Sequence, residues 1–293
     1  MKQERVRLDV LLVDRGLFPT RSRAQAAILA GAVLLDGKPI QKPGTLVPLD
    51  ARVEVRSQVS PYVSRGGLKL ARALEVFGID VRGKVAIDVG ASTGGFTDCL
   101  LQSGASRVYA VDVGYGLLDW RLRNDPRVVV LERTNARFLR PEYIGEPVDL
   151  ITVDVSFISL TKVLPALPPL LRPGGEVLPL VKPQFEAGPR KARKGVVRDP
   201  EVHREVLMDV CACALDLGFA VMGMTYSPLR GPEGNIEFFL HLALGANGGI
   251  EDLAEAIWKT VAEAHAALSP GAPRRPLRET EPAARPQGAW RVP

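Results

Sequence analysis

Cysteine and histidine are scarce, with three of each in 293 residues. Cys99 stands alone, and Cys211 and Cys213 lie two apart in a helical pattern, a spacing that puts the two thiols on different faces. Neither a disulfide framework nor a zinc site follows. His203, His241 and His265 are too dispersed to complete a metal constellation, so the expected chemistry uses no metal. Long apolar runs are missing too. Glu4, Arg5, Arg7 and Asp9 interrupt the opening residues, against the pattern of a secretory leader. The most apolar stretch, 206–224, carries Asp209 and Asp216 and reads as a buried helix running into a strand, not a membrane span. The expectation is a soluble, cytoplasmic protein without stable membrane association.

What is present is an ordinary globular composition, 46% hydrophobic and 24% charged, at a length that suits one large core plus a small appendage. The net charge of +5 is concentrated at the two ends. Residues 1–60 hold ten Lys/Arg against six Asp/Glu, and 267–293 hold five against two, so the middle is slightly acidic. A basic module on a near-neutral body has the electrostatics of a nucleic-acid targeting domain. A solvated surface accounts for the same excess nearly as well.

In the first module, residues 7–15 place Leu8, Leu11 and Leu12 at helical spacing, and Gly16 stops the helix. Ser22 with Gln25 reads as a capping box opening a second helix through Ala30. Gly31-Ala-Val-Leu-Leu-Asp-Gly37 is a strand entering a tight Asp-Gly turn, and 45–55 alternates enough to supply a returning strand. Arg7-Leu-Asp-Val-Leu-Leu, Thr20-Arg-Ser-Arg-Ala-Gln and Gly31-Ala-Val-Leu-Leu-Asp-Gly-Lys together resemble an S4-type RNA-binding domain. That resemblance implies that Arg5, Arg7, Arg21, Arg23 and Lys38 meet folded RNA, by shape and phosphate contact more than by base reading. The expected boundaries are an S4-like domain over 1–59, a polar linker over 60–67 containing Arg65, a catalytic domain over 68–268, and a tail over 269–293. The tail is rich in proline and arginine, and its composition cannot bury a core.

From residue 68 the pattern alternates helices and strands, as in a parallel sheet covered on both faces. Strands are expected at 84–89, 107–112, 127–131, 148–154, 176–182, 219–226 and 235–243. The fold class is therefore α/β: a Rossmann-like, seven-stranded methyltransferase-type sheet with a small α+β module ahead of it. Asp88-Val-Gly90-Ala91-Ser92-Thr93-Gly94-Gly95-Phe96 forms a glycine-rich turn after the first strand, but Ser92 stands where a dinucleotide fingerprint needs its second glycine. A ligand without a pyrophosphate fits better, and S-adenosylmethionine is such a ligand. Its carboxylate is expected on the amides of the turn, its ribose hydroxyls on Asp112 and its adenine near Asn135. A plain strand-to-helix turn with a solvated Asp112 is the bland alternative.

Four ionisable residues complete the pattern. Asp154 and Lys182 end apolar runs, Glu237 sits at or near a strand end, and Lys69 lies near the start of a helix. Ligand crevices of open α/β sheets lie outside the carboxyl ends of the strands, so these positions are functional candidates. The expected assignment makes Lys182 the general base, with Asp154 and Lys69 steering it and the acceptor hydroxyl and Glu237 fixing the lysine geometry. Each residue taken singly is equally a surface or salt-bridge residue. Ser64-Arg-Gly-Gly-Leu-Lys69, Asp88-Val-Gly-Ala-Ser-Thr-Gly-Gly-Phe-Thr-Asp98, Thr152-Val-Asp-Val-Ser-Phe-Ile-Ser159, Leu180-Val-Lys-Pro-Gln-Phe-Glu186 and Gly234-Asn-Ile-Glu237 together resemble the TlyA (hemolysin A) family of ribosomal RNA 2′-O-methyltransferases, whose catalytic domain is similar to the FtsJ-type enzymes.

The resemblance implies methylation of cytidine 2′-hydroxyls in 16S and/or 23S ribosomal RNA within 30S and/or 50S subunits, with the catalytic tetrad on Lys69, Asp154, Lys182 and Glu237. It also gives a role to the basic loop 188–198, whose Arg190, Lys191, Arg193, Lys194 and Arg198 would clamp backbone phosphates, and to Phe157, which would stack an extruded base or else pack in the core. Three other readings remain: a membrane-active hemolysin, which would need an amphipathic or apolar membrane segment; a non-catalytic RNA-binding assembly factor, which would not need the tetrad; and methylation of a protein or small molecule, which the S4-type domain disfavours.

Overall fold

The computed structural model describes residues 5–269 apart from 19, 30, 41, 56–60, 193–194 and 232, and of Arg23, Ala26, Pro189 and Arg190 it describes the backbone alone. The chain divides into two compact units, Met1–Pro61 and Tyr62–Pro293. No helix of the described residues is long and apolar enough to cross a membrane.

The first unit runs β1 (Arg5–Arg7), α1 (Leu8–Asp14), α2 (Arg21–Leu29), β2 (Val33–Leu35), β3 (Lys38–Pro39), β4 (Leu46–Pro48) and β5 (Val53–Val55). Leu8, Leu11 and Leu12 of α1 and Ala24 and Ile28 of α2 pack with Val33 and Val47 into its core. Gly16, at φ 67°, closes α1 as expected. Asp36 and Gly37 both take positive φ, as the two-residue turn joining β2 to β3 requires. The expected single strand over 45–55 is in fact two. The Ala51 amide turns back onto the Pro48 carbonyl, so β4 pairs with β1 while β5 pairs with β2. The Ser22–Gln25 capping box is not formed. Ser22 lies inside α2 instead of preceding it, and the Gln25 side chain is turned to the buried carboxylate of Asp9, to which its Nε2 donates at 2.7 Å.

The second unit continues with α3 (Gly66–Phe77), β6 (Val85–Val89), α4 (Gly95–Gln102), β7 (Arg107–Val111), α5 (Trp120–Arg123), β8 (Val128–Leu131), α6 (Pro141–Ile144), β9 (Val148–Val153), β10 (Leu171–Val181), α7 (Pro183–Glu186), α8 (Gly188–Lys191), α9 (Pro200–Asp216), β11 (Phe219–Tyr226), β12 (Phe238–Leu244) and α10 (Leu253–Leu268). Among the described residues seven strands form one sheet in the order β11-β12-β10-β9-β6-β7-β8, parallel except for β12, which runs against both its neighbours. The expected α/β methyltransferase-type sheet is the observed one. Strand alternation sends Phe238 to the face covered by α9 and α10, where Val206, Val210 and Val261 lie, and Phe239 to the face covered by α3 and α4, with Leu70 and Leu100.

Several boundaries differ from expectation: β10 begins at Leu171 instead of residue 176, and two differences lie near the site. Gly66 and Gly67, assigned to a linker, are the first residues of α3. Their lack of side chains is a packing requirement: a Cβ on Gly67 would fall 2.2 Å from the Tyr62 ring, and one on Gly95 would fall 3.2 Å from the Gly66 Cα, so the amino-terminal ends of α3 and α4 meet backbone to backbone. Glu237 precedes β12 instead of lying within it.

Candidate active site

Six parallel strands and one reversed strand bring the scattered ionisable residues to a single edge of the sheet. Asp154 follows the last residue of β9, and Lys182 follows the last residue of β10. Because β12 is antiparallel to β10, with Val181 opposite Phe238, the residue that enters β12 sits beside the residue that leaves β10. That residue is Glu237. The crossover reverses between β6 and β9, where the Asp154 amide donates to the Val89 carbonyl at 2.8 Å. Ligands of open α/β sheets bind at such a switch point. Gly90, at φ 85°, must be glycine here, since a Cβ would lie 2.5 Å from the Asp154 carbonyl oxygen.

The four residues resolve into two ion pairs. Lys182 Nζ lies 2.6 Å from Asp154 Oδ1, and Lys69 Nζ lies 2.5 Å from Glu237 Oε2, with Glu237 only 1% exposed. The expectation gave Glu237 the task of fixing the lysine geometry; the lysine it holds is Lys69, while Asp154 holds Lys182. Lys182 also donates to Ser156 Oγ at 2.9 Å. Sequence reasoning missed Ser156, although it lies in the quoted block 152–159 and two residues after Asp154. The Asp154 contact is an ion pair without hydrogen-bond geometry, so the bond donated to Ser156 is the one that orients the amine. The loop bearing Ser156 is tied to α7 by Glu186, which accepts from Ser159 Oγ at 2.6 Å and from the Leu160 amide at 2.8 Å. Phe157, at φ 63° and 90% exposed, stands outside this brace with its ring 5.0 Å from Phe185. Core packing, the alternative for Phe157, is therefore excluded.

The glycine-rich turn divides into a packing side and an open side. Gly94 lies under Leu118 and Leu122, Gly95 touches the start of α3, Ala91 is buried, and Phe96 stacks 6.0 Å from Phe239 inside the core. Phe96 is among the cofactor-binding residues expected in the turn; the core encloses its ring, so its side chain takes no part in that contact. The Asp88 side chain is likewise turned inward. It is fully buried, accepting from Thr97 Oγ1 at 2.7 Å and Thr152 Oγ1 at 3.1 Å, and so pins β6 to α4 and β9. The amides of Gly90, Ala91, Ser92 and Gly94 are taken up internally by Val111, Asp112 and Ala91, so an anion cannot use them without displacing a bond. Ser92 and Thr93 are exposed. Asp112 accepts from the amides of Ser92 at 2.8 Å and Gly114 at 2.7 Å, a hold that leaves carboxylate lone pairs for hydroxyl donors. Asn135 Oδ1 caps the short helix after β8 through the Arg137 amide.

Burial pushes the Asp88 carboxyl up from 3.8 to about 7, against the two threonine hydroxyls, which favour the charged form. A folded value above the unfolded one means that stability is fully present below the unfolded value and is lost as pH rises through the folded one. Between pH 3.8 and about 7 this group is expected to remove about 4 kcal/mol. Urea unfolding of Asp88→Asn across that range should show a correspondingly flatter pH profile than the parent.

Of the residues expected on an RNA face, Arg5, Lys38, Arg65 and Arg198 are exposed. Arg7 and Arg21 are half exposed, and both are tied to Asp9. Lys191 is ion-paired with Glu205, a surface partner that phosphate would have to displace. Arg193 and Lys194 lie outside the described residues, as do the side chains of Arg23 and Arg190 and the tail from 270.

Comparison with known proteins gives two family matches: the FtsJ-like methyltransferase model over residues 62–244 and the S4 domain model over residues 6–53. The chain is 49% identical over 267 residues to the 16S/23S rRNA (cytidine-2′-O)-methyltransferase TlyA of Mycobacterium tuberculosis, covering 88% of this chain and 98% of that protein. It is 48% identical over 272 residues to a Bacillus subtilis protein, YqxC, described as a candidate rRNA methyltransferase, covering 92% and 97%. Among solved structures, a candidate hemolysin from Streptococcus thermophilus superposes with a TM-score of 0.72 at 44% identity, covering 90% of this chain and 96% of that one.

Proposed function

From the premise that this chain belongs to the FtsJ-like methyltransferase family and carries an S4 domain, we propose that it methylates the ribose 2′-hydroxyl of cytidine in ribosomal RNA, using S-adenosylmethionine. The observation that carries this reading is the pair of lysine–carboxylate contacts gathered at the switch point, beside a glycine turn that does not suit a pyrophosphate. Open positions of the turn and rim fit the cofactor: Ser92 and Thr93 beside the switch point, Asp112 for ribose hydroxyls, Asn135 near adenine. When bound, S-adenosylmethionine supplies an electrophilic methyl on sulfur.

The residues of the chain do the rest. Lys182 would accept the proton of the 2′-hydroxyl, leaving the ribose oxygen free to take the methyl that the cofactor would supply. Ser156 aims the amine, and Asp154 stabilises the ammonium that results. Lys69, anchored by the buried Glu237, holds the acceptor oxygen in line. Arg5, Arg7, Arg21 and Lys38 of the S4 unit, with Arg65, Lys191 and Arg198 of the catalytic unit, supply phosphate contacts, and Phe157 stacks an unstacked base. The protein acts in the cytoplasm, where ribosomal subunits are assembled.

The test is transfer of radiolabelled methyl from S-adenosylmethionine to separated, unmethylated 30S and 50S subunits, followed by nucleoside analysis. Label recovered as 2′-O-methylcytidine supports the reading and gives the subunit range. No transfer to either subunit, despite cofactor binding, overturns it in favour of a non-catalytic RNA-binding role, and leakage of lipid vesicles by the pure protein would restore the hemolysin alternative. Loss of one hydrogen bond to the reacting amine predicts that Ser156→Ala lowers kcat roughly tenfold, leaves both KM values unchanged, and is rescued by Ser156→Thr.

A further inference from the structure

In the first unit the residue that does not belong by size or charge is Asp9. It lies on the core side of α1 with 0% exposure, between Leu8 and Leu11, in a unit whose core is small. Ionised carboxylates are buried when something holds them. Four donors do so here. Arg7 reaches Oδ1 through Nε at 3.0 Å and Oδ2 through Nη2 at 2.9 Å. Arg21 Nε and Gln25 Nε2 reach Oδ2 at 3.0 and 2.7 Å. These contacts hold the carboxyl well below the usual carboxylate range.

The geometry on the arginine side is more informative. Asp9 takes Arg7 side-on and Arg21 by Nε, and among the described residues the Nη1 group of Arg7 and both terminal nitrogens of Arg21 make no other hydrogen bond. Both side chains remain about half exposed, at 45% and 53%. Gly44 lies under the Arg7 fork, where a Cβ would come within 2.9 Å of Nη1, so the neighbouring turn is shaped to the guanidinium as well. Two flexible cations are thereby fixed by one carboxylate, each with donors left over and each about half exposed. A buried ion pair adds little stability over an apolar side chain that fills the same space. Fixing two guanidinium groups before RNA arrives removes rotamer entropy that binding would otherwise have to overcome.

We propose that Asp9 is a positioning residue for RNA recognition: its buried carboxylate clamps Arg7 and Arg21 into one preformed fork that grips adjacent phosphates of folded RNA. The proposal rests on the reading of the first unit as an RNA-binding domain. It makes a prediction of unusual sign. Asp9→Asn removes a negative charge, which by electrostatics alone tightens RNA binding. Loss of the clamp weakens it.

The experiment measures Kd of the full chain for a fluorescently labelled RNA stem-loop across a salt series, for the parent, Asp9→Asn, Arg21→Lys and the double variant Arg7→Ala/Arg21→Ala. Arg21→Lys keeps the charge and leaves the buried carboxylate in place but lacks Nε, so it reports on the clamp even if Asp9→Asn fails to fold. The expected result is roughly tenfold weaker binding for Asp9→Asn and for Arg21→Lys, with the slope of log Kd against log salt smaller by about one contact in each. Unchanged or tighter binding by a folded Asp9→Asn, or by Arg21→Lys, overturns the clamp while a weakened double variant leaves the RNA-binding reading standing. A double variant that binds as the parent does overturns both.

Discussion

Lys182→Ala is expected to reduce methyl transfer by about a thousandfold, with RNA and cofactor affinities close to those of the parent. The size follows from position. Lys182 is the residue at this edge that is held on one side by a carboxylate and on the other by a hydroxyl, so its amine cannot be replaced by a water of similar direction. The informative companion is Lys182→Arg. A guanidinium retains the positive charge beside Asp154 but cannot give up a proton near neutral pH. If Lys182 accepts the hydroxyl proton, the arginine enzyme is as inactive as the alanine one. Substantial activity in Lys182→Arg would instead mean that the residue acts as a fixed cation, and the general-base assignment would be wrong. Single-turnover methyl transfer on saturating RNA separates these outcomes from a binding defect.

Glu237→Leu is expected to be the most destabilising single change in the tetrad. The carboxylate is almost completely enclosed, and its partner Lys69 is itself mostly buried on α3. Removing the anion leaves an enclosed ammonium without compensation, a loss of about 3–5 kcal/mol. Adding Lys69→Met to the same chain removes the stranded charge, and most of the stability should return, because an apolar pair fills the space without desolvation. Activity should not return. A double variant as stable as the parent and inactive assigns the pair to catalysis, whereas a double variant that recovers methyl transfer would show that Lys69 and Glu237 merely brace the edge of the sheet. Urea unfolding and methyl transfer on the same preparations give both readings.

How much of this was visible beforehand differs by residue. The strands of the second unit were legible because apolar runs and turn residues are local signals, and Asp154 and Lys182 were found because they end two of those runs. Glu237 was singled out only as lying at or near a strand end; that it reaches the site follows from the reversal of β12, which returns its amino-terminal end to the carboxyl edge. The partition of partners was not. Lys69 and Glu237 are 168 residues apart, and nothing local distinguishes that pairing from Lys182 with Glu237. Ser156 was passed over since an isolated serine carries no signal until a lysine is placed beside it. Asp88 and Phe96 read as ligand contacts because they flank the turn, yet each side chain points into the packed interior, a direction that depends on how β6 and α4 are covered. The Ser22–Gln25 cap was a sound local reading overturned because Ser22 lies inside α2 and the Gln25 side chain is turned to the Asp9 carboxylate on another helix.

The amino-acid sequence by itself determined the α/β alternation, the division into a basic module and a catalytic body, the turn that disfavours a pyrophosphate, and the residue types from which the site is made. Only the tertiary structure decided which lysine is held by which carboxylate, that Asp9 organises two arginines, and which side of the glycine turn is open. The reason is physical. Periodicity and turn chemistry act over a few residues and can be read in order, while ion pairing and burial depend on which distant segments share a volume, and that is settled when the sheet closes and its helices pack.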